Sequence, residues 1–219
     1  MTKFTFISDT HGQHRNLSPS LKGDILIHCG DFMTDGYSMN EAKDFIDWMN
    51  DLDFKHKIFI AGNHDRLLEL RNHERDILLG RLDDNVIYLE ESEIVIEGIK
   101  IYGTPYQPTF RDWAFNLLRH GEELASKYAA IPDDTDILIT HTPPKGILDE
   151  VGLHNTGTNV LLSNVQRVAP KIHAFGHIHE CPGTKRVSPT LFINAAQVDR
   201  SYNVVNEPIT IEWDDSKPL

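Results

Sequence analysis

The sequence predicts an α/β fold built on mixed sheets, and three patterns predict it. Short apolar runs of strand length, at residues 4–8, 24–28 and 57–61, end abruptly in Asp, Gly, Asn or His. Segments of helical period separate the early runs, which makes βαβ crossovers and parallel pairing. After residue 85 the runs come closer together, and crossovers give way to a hairpin.

The 219 residues suffice for one domain with a sizeable core. No repeat, linker or low-complexity stretch divides them, so residues 1–219 read as a single domain. Hydrophobic residues make up 40% and charged residues 25%, an ordinary globular balance. Net charge is −12, from 33 acidic against 21 basic side chains. That excess argues against a stable nucleic-acid complex and against an anionic membrane as partner. A phosphate-bearing substrate needs local positive charge in such a field, and bound metal ions are the obvious source. The 12 histidines supply the commonest transition-metal ligand. Cys29 and Cys181 lack the spacing of a disulfide framework or a zinc ribbon, which points to a reducing compartment. The opening run is too short, and too soon broken by Ser8-Asp9, for a signal peptide. No apolar run approaches the roughly 20 residues of a membrane helix. The expected location is the cytoplasm.

Residues 4–8 read as a buried strand followed at once by Asp9-Thr10-His11-Gly12. Asp9 and His11 lie two apart, so on an extended backbone both point to one side. A carboxylate and an imidazole converging past a strand end suit Mn, Fe, Zn or similar ions. The competing reading is an Asx-turn beside a bystander histidine. The strand at 24–28 is followed by Cys29-Gly30-Asp31-Phe32. Gly30 allows a sharp turn that brings Asp31 to the sheet edge, where its two oxygens can serve two cations. His28 and Cys29 read as buried groups rather than ligands. Residues 40–52 read as a helix, with Ala42, Phe45, Ile46, Met49 and Leu52 at helical spacing. The strand at 57–61 ends in Gly62-Asn63-His64-Asp65 and opens a helix expected over 66–79, ended by Gly80. Open α/β sheets bind ligands at that strand end. Asn63 offers a neutral oxygen to a cation, and His64 can hold or give a proton near neutral pH. Asp65 either orients that histidine or caps the helix.

Residues 85–90 read as a strand, and 92–96 with 99–103 as a hairpin about Glu97-Gly98. Residues 104–108 form a proline-rich loop at another strand end, followed closely by Phe110, Trp113 and Phe115. Tyr106, Phe110 and Trp113 are the expected substrate contacts, since rings beside a phosphate site can stack on a nucleobase. The competing reading packs these aromatics at the start of a helix over 112–129. The strand at 136–140 stops at His141-Thr142-Pro143-Pro144, because proline cannot donate to the ladder. A helix follows at 159–168. The strand at 171–175 then runs into Gly176-His177-Ile178-His179, whose two imidazoles share one side and are hard to account for as core packing. His173 lies inside that strand and is not taken as a ligand. Residues 190–194 and 208–213 close the sheets.

Five apolar strands thus end in ligand residues: Asp9 with His11, Asp31, Asn63, His141, and His177 with His179. Together they read as two adjacent cations sharing Asp31, about four positive charges that attract a phosphate. The ordered set Asp9-x-His11, Gly30-Asp31, Gly62-Asn63-His64-Asp65, His141 and Gly176-His177-x-His179 resembles the calcineurin-like metallophosphoesterases, with every block present in order. Gly30-Asp31-Phe32, Gly103-Thr104-Pro105-Tyr106-Gln107-Pro108, Trp113-Ala114-Phe115-Asn116-Leu117, Thr140-His141-Thr142-Pro143-Pro144 and Phe175-Gly176-His177-Ile178-His179-Glu180 extend the resemblance over nearly the whole chain. They point to the metallophosphoesterase-domain-containing proteins related to the brain-enriched phosphodiesterases.

The resemblance implies a four-layer α/β/β/α sandwich with mixed sheets and a dinuclear centre. Asp9, His11, Asp31 and His179 would hold one metal, and Asp31, Asn63, His141 and His177 the other. Manganese leads the candidate ions, with Fe, Ni, Co or Zn admitted by the same donors. Some relatives carry glycine at the last motif histidine and are weak enzymes; here His179 is present. Asp65 stands where many relatives have Glu. The implied activity is a phosphodiesterase acting on small phosphodiesters such as cyclic nucleotides. The expected chemistry is in-line attack by a hydroxide bridging the metals, with His64, held by Asp65, protonating the leaving oxygen. The alternatives are a phosphomonoesterase or protein phosphatase on the same site, and a catalytically weak metal-binding scaffold.

Overall fold

The computed structural model describes residues 1–17, 19–70 and 73–214. Strands β1 (Thr2–Ile7), β2 (Ile25–His28), β3 (His56–Phe59) and β4 (Val86–Tyr88) pair in parallel. Between them run α1 (Met39–Asp51), α2 (Arg66–Glu69) and α3 (His73–Leu79). A hairpin of β5 (Ser92–Ile96) and β6 (Ile99–Thr104) leads to the short β7 (Gln107–Pro108) and β8 (Asn116–Leu117). Then come α4 (Glu122–Ala129), β9 (Ile137–Thr140), the small hairpin β10 (Glu150–Val151) and β11 (His154–Asn155), and α5 (Asn159–Val168). Four strands complete the fold: β12 (Ile172–Phe175), β13 (Gly183–Val187), β14 (Thr190–Asn194) and β15 (Ile209–Trp213).

Two mixed sheets result, ordered β15-β1-β2-β3-β4 and β13-β14-β12-β9-β6-β5. In the first, β15 is antiparallel to β1; in the second, the edge strands β13 and β5 are antiparallel to their neighbours. Side-chain alternation explains the layering. Phe4, Phe6, Ile25, Ile27 and Ile58 turn one way and meet Ile101, Ile137, Ile139 and Ile172 of the other sheet. Ile7, Leu26 and Phe59 turn the other way, against Phe45, Ile46 and Met49 of α1. Leu138, Phe175 and Phe192 likewise face Leu124 and Tyr128 of α4 and Leu161 and Val165 of α5. The layers are therefore helix, sheet, sheet, helix, the four-layer sandwich that the motifs imply.

Local chemistry ends the crossover helices where the sequence leads one to expect. Ser38 Oγ accepts from the Glu41 amide at the start of α1, and Thr158 Oγ1 from the Leu161 amide at the start of α5. Lys57 is buried, and its Nζ donates to the Asn50 and Leu52 carbonyls at the end of α1. Two expected helices differ. The one over 66–79 is two, α2 and α3, because Leu70 turns to an extended conformation, ψ 98°, after a single turn; residues 71 and 72 lie outside the described residues. The one over 112–129 is only α4. Upstream, the Ala114 amide donates to the Asn63 carbonyl and the Phe115 amide to Glu69, and Phe115 is left-handed at φ 55°. Those tertiary bonds take the donors a helix would use. Among the described residues, no helix is long and apolar enough to cross a membrane.

Candidate metal centre and cleft

The parallel strands bring their carboxyl ends to one edge, and every expected ligand follows such an end. Asp9 follows β1, Asp31 follows β2, Asn63 follows β3, His141 follows β9, and His177 follows β12. The backbone there departs sharply from extended geometry. Asp9, His11, Asp31 and His177 are all left-handed, at φ 53°, 40°, 57° and 67°. Such a conformation is strained outside glycine and concentrates at functional sites. Main-chain bonds hold it: the Asp9 amide to the Gly30 carbonyl at 2.9 Å, and the His11 amide to the Asp31 carbonyl at 3.1 Å. Two glycines make room. A Cβ on Gly62 would lie 2.2 Å from Asp31 Oδ1, and one on Gly176 would lie 2.0 Å from Asp9 Oδ2.

Three overlapping groups of donors form there: Asp9, His11 and His179; His11, Asp31 and His64; and Asp31, His141 and His177. Within each group the donor atoms lie within 4.8 Å of one another. The hydrogen bonds fix which lone pairs face inward. His11, His64 and His141 each direct Nδ1 to a main-chain carbonyl, of Met33, Thr34 and Cys29 respectively. A carbonyl can only accept, so each Nδ1 carries a proton, and in the neutral ring each Nε2 presents a lone pair. His141 Nε2 lies 3.1 Å from Asn63 Oδ1 and 3.3 Å from Asp31 Oδ2. His11 Nε2 is buried without a hydrogen-bond partner, 3.8 Å from Asp31 Oδ2 and 4.0 Å from Asp9 Oδ1. Acceptors facing acceptors in a buried site call for a cation, and a nitrogen-and-oxygen donor set suits a divalent transition metal. The residues therefore fit the metals that the motifs imply.

Electrostatics agree. Burial pushes the Asp31 proton affinity up, but His141 and His64 outweigh it and hold the carboxyl well below its usual range. Burial likewise opposes ionisation of Asp9, and the hydrogen bond and charge of His179 overcome it. His141 feels burial downward and Asp31 upward, and the net is a rise to about 9. His179 also rises, its burial outweighed by Asp9, whereas burial keeps His11 low and takes His177 down to about 3, so a proton can stand in for a cation at only part of the site.

Not every expected role holds. Asp65 neither orients His64 nor caps α2 with its side chain. Its carboxylate instead accepts from the Asp31, Met33 and Gly62 amides at 2.9, 2.9 and 2.7 Å. His64 is oriented by the Thr34 carbonyl, and its ring stacks on Trp113 at 3.9 Å between centroids. One face of Trp113 is therefore taken, although the residue does line the cleft beside the ligands. Phe110, 43% exposed, is the available ring there, edge-on to His177 at 5.4 Å. Tyr106 is absent from the lining; its hydroxyl donates to Glu90 and its ring packs against Phe115, so it belongs to the core. The sequence reading missed Tyr202, which is left-handed at φ 62° and edge-on to His11 and His179 at 4.8 and 5.5 Å. It also missed Arg111, Arg119 and Arg200. None of these stands in a ligand motif. The cleft encloses about 390 Å³, room for a small organic phosphate.

Comparison with known proteins agrees with this architecture. The calcineurin-like phosphoesterase family profile matches residues 2–181. Metallophosphoesterase domain-containing protein 1 of Homo sapiens is 39% identical, over 96% of this chain and 71% of that protein, and the Mus musculus protein matches equally. Among solved structures, TT1561 of Thermus thermophilus superposes with a TM-score of 0.65 at 14% identity, covering 95% of this chain and 97% of that one. Phosphopantetheinyl hydrolase from Mycobacterium tuberculosis gives 0.62 at 18% identity, covering 91% and 90%. At those identities the structures share the fold alone. The profile and the close relatives carry the assignment: this chain belongs to the calcineurin-like phosphoesterases, a family of metal-dependent phosphoric ester hydrolases.

Proposed function

We propose that this chain is a dinuclear-metal phosphodiesterase acting on small phosphodiesters, cyclic nucleotides among them. The observation that carries the reading is the intact proton donor. His64 sits against the ligand cluster with Nδ1 committed to the Thr34 carbonyl and Nε2 left for the substrate. Asp9, His11, Asp31 and His179 would hold one ion, and Asp31, Asn63, His141 and His177 the other. Manganese is the first candidate, and Fe, Ni, Co or Zn satisfy the same donors. Bound there, the ions would supply Lewis acidity and neutralise charge on the phosphoryl oxygens.

The protein's own groups do the rest. As the imidazolium, His64 gives its Nε2 proton to the leaving oxygen, which departs as the alcohol, and the ring regains a proton from solvent before the next turnover. Trp113 backs the imidazole at 3.9 Å and narrows the approach of water to it. Phe110 offers a ring to the organic part of the ester. An open cleft of this size accommodates substituents on both sides of a phosphodiester. The excess of acidic side chains opposes a stable nucleic-acid complex, and the two free cysteines suit the cytoplasm.

The test is hydrolysis of bis-p-nitrophenyl phosphate and p-nitrophenyl phosphate by metal-stripped protein, with each divalent ion restored in turn. Metal-dependent turnover favouring the diester is expected. Preference for the monoester would make the protein a phosphatase. No turnover with two ions bound would leave a scaffold.

A further inference from the structure

Beyond the ligand cluster, the cleft wall carries the opposite sign to the chain. Net charge is −12, yet Arg111, Arg119 and Arg200 all line the cleft, and the one lining carboxylate away from the ligands is Glu180. Two of these arginines are occupied. Arg200 pairs with Glu180 at 3.3 Å. Arg119 donates to the Thr156 and Gly157 carbonyls at 3.0 and 3.2 Å. Arg111 is different. Among the described residues its guanidinium has no hydrogen bond or ion pair, and lies 5.3 Å from the Phe110 ring centroid. Phe110 in turn lies 5.4 Å from the His177 ring, so Arg111 stands one ring beyond the ligand cluster.

The backbone holds Arg111 there against its preference. It is left-handed, at φ 52°. The Asn116 side chain pins the turn from inside: Oδ1 accepts from the Phe110 amide at 3.1 Å, and Nδ2 donates to the Phe110 and Arg111 carbonyls at 3.3 and 3.1 Å. Strain of this kind persists only where surrounding contacts over-determine it, and it concentrates at ligand clamps. A planar guanidinium with five donors matches the oxygens of a phosphate bidentately.

We propose that Arg111, with Phe110 beside it, is a subsite for a second anionic group. The cleft then selects phosphodiesters that carry a further phosphate, away from the reacting one. The inference rests on the ligand cluster being the seat of the reacting phosphodiester. In that arrangement the reacting group lies against His64, the connecting moiety lies on Phe110, and the second phosphate meets Arg111.

The experiment is calorimetric titration of manganese-loaded His64→Ala protein, which needs no turnover. The probes are adenosine 3′,5′-bisphosphate and adenosine 5′-monophosphate. The bisphosphate is expected to bind about tenfold tighter or more. Adding Arg111→Gln should bring that ratio to about one, and Arg111→Lys, which restores charge without the planar geometry, should recover part of it. Equal affinity for the two probes before Arg111 is changed, or a preference that survives Arg111→Gln, overturns the subsite. Failure of the phosphodiesterase reading shows separately, as absent diester turnover in the unmodified protein, while the affinity ratio is read without it.

Discussion

Gly62→Ala is the sharpest probe of the centre, because the atoms nearest the added methyl group belong to two expected ligands. Its Cβ would fall 2.2 Å from Asp31 Oδ1, 2.5 Å from the Asp31 amide and 2.6 Å from His141 Cε1, where ordinary contact begins at 3.4 Å. Relief needs a shift of about 1 Å in Asp31, against a ligand tolerance of about 0.2 Å. Asp31 serves both ions in the proposed ligand assignment, so both should weaken together. Two ions, each at a hundred times its dissociation constant, stabilise the native protein by about 2.7 kcal/mol apiece. At about 2–4 °C per kcal/mol for a chain of this size, manganese should raise Tm by about 10–20 °C. In Gly62→Ala that rise should fall below about 3 °C, read as paired melts with manganese and with EDTA. Gly98→Ala is the control. It sits at a hairpin tip at φ +82° with nothing within 4 Å of its Cβ, so it should lose about 1–2 kcal/mol to left-handed strain and keep the full manganese shift. A Gly62→Ala protein with two ions per chain by elemental analysis and an undiminished shift would refute the shared-ligand geometry.

Three further outcomes follow from the same contacts. His64→Ala should retain metal and lose about 10²–10⁴ in turnover of a diester with an alcohol leaving group, but much less with p-nitrophenolate, which needs no proton; an equal loss on both would remove the donor role. Asp65→Asn sets an amide group against three main-chain donors, and should cost about 1–3 kcal/mol in denaturant melts without moving the pH profile of kcat; a displaced profile would restore Asp65 as the partner of His64. His173 concerns acid stability. Burial pushes its imidazole down to about 3, whereas the unfolded ring titrates near 6.5. Between those values only the unfolded chain binds the proton, so this group's stability is whole above about 6.5 and is lost as pH falls toward about 3. Metal-free His173→Gln should therefore lose about 2 kcal/mol less than the parent between pH 6.5 and 5, and parallel pH curves for the two would place the acid lability elsewhere.

The centre was legible because its chemistry is local. Asp9 with His11, and His177 with His179, announce themselves by residue type and a spacing of two at a strand end. What failed were inferences from adjacency to a particular contact. Asp65 follows His64, but consecutive side chains diverge at this turn, and Asp65 turns inward to three amides while His64 finds a carbonyl 30 residues earlier. A main-chain carbonyl has no signature in the sequence. Tyr106, Phe110 and Trp113 looked equivalent as a cluster, but Glu90 takes the first into the core and only the others reach the cleft. The expected helix over 112–129 failed for a related reason, since the Asn63 carbonyl and Glu69 bind amides that local propensity would assign to the helix. Tyr202 and Arg111 lie in no motif, and only tertiary placement brings them to the site.

The strain in the centre bears on how it binds metal. Four of the expected ligand residues are left-handed, each at a cost of about 1–3 kcal/mol, although Asp and His bear that conformation better than most. Main-chain hydrogen bonds help to sustain it. The His177 amide donates to both Asp9 oxygens at 3.1 and 2.9 Å, the His64 amide to Asp31 Oδ1 at 2.7 Å, and the Asp31 amide to Asp65 at 2.9 Å. Each expected carboxylate ligand is thus gripped by the main chain of another ligand's turn, and the sheets on which those turns ride are joined by the pairing of Ser8 with Ala196. The cost of assembling the donors is met by the hydrophobic layers when the chain folds. A core of this size separates the chain from small zinc domains that fold only around their ion. Asp65 matters because it holds the Asp31 and Gly62 turns together without touching the cluster that they form.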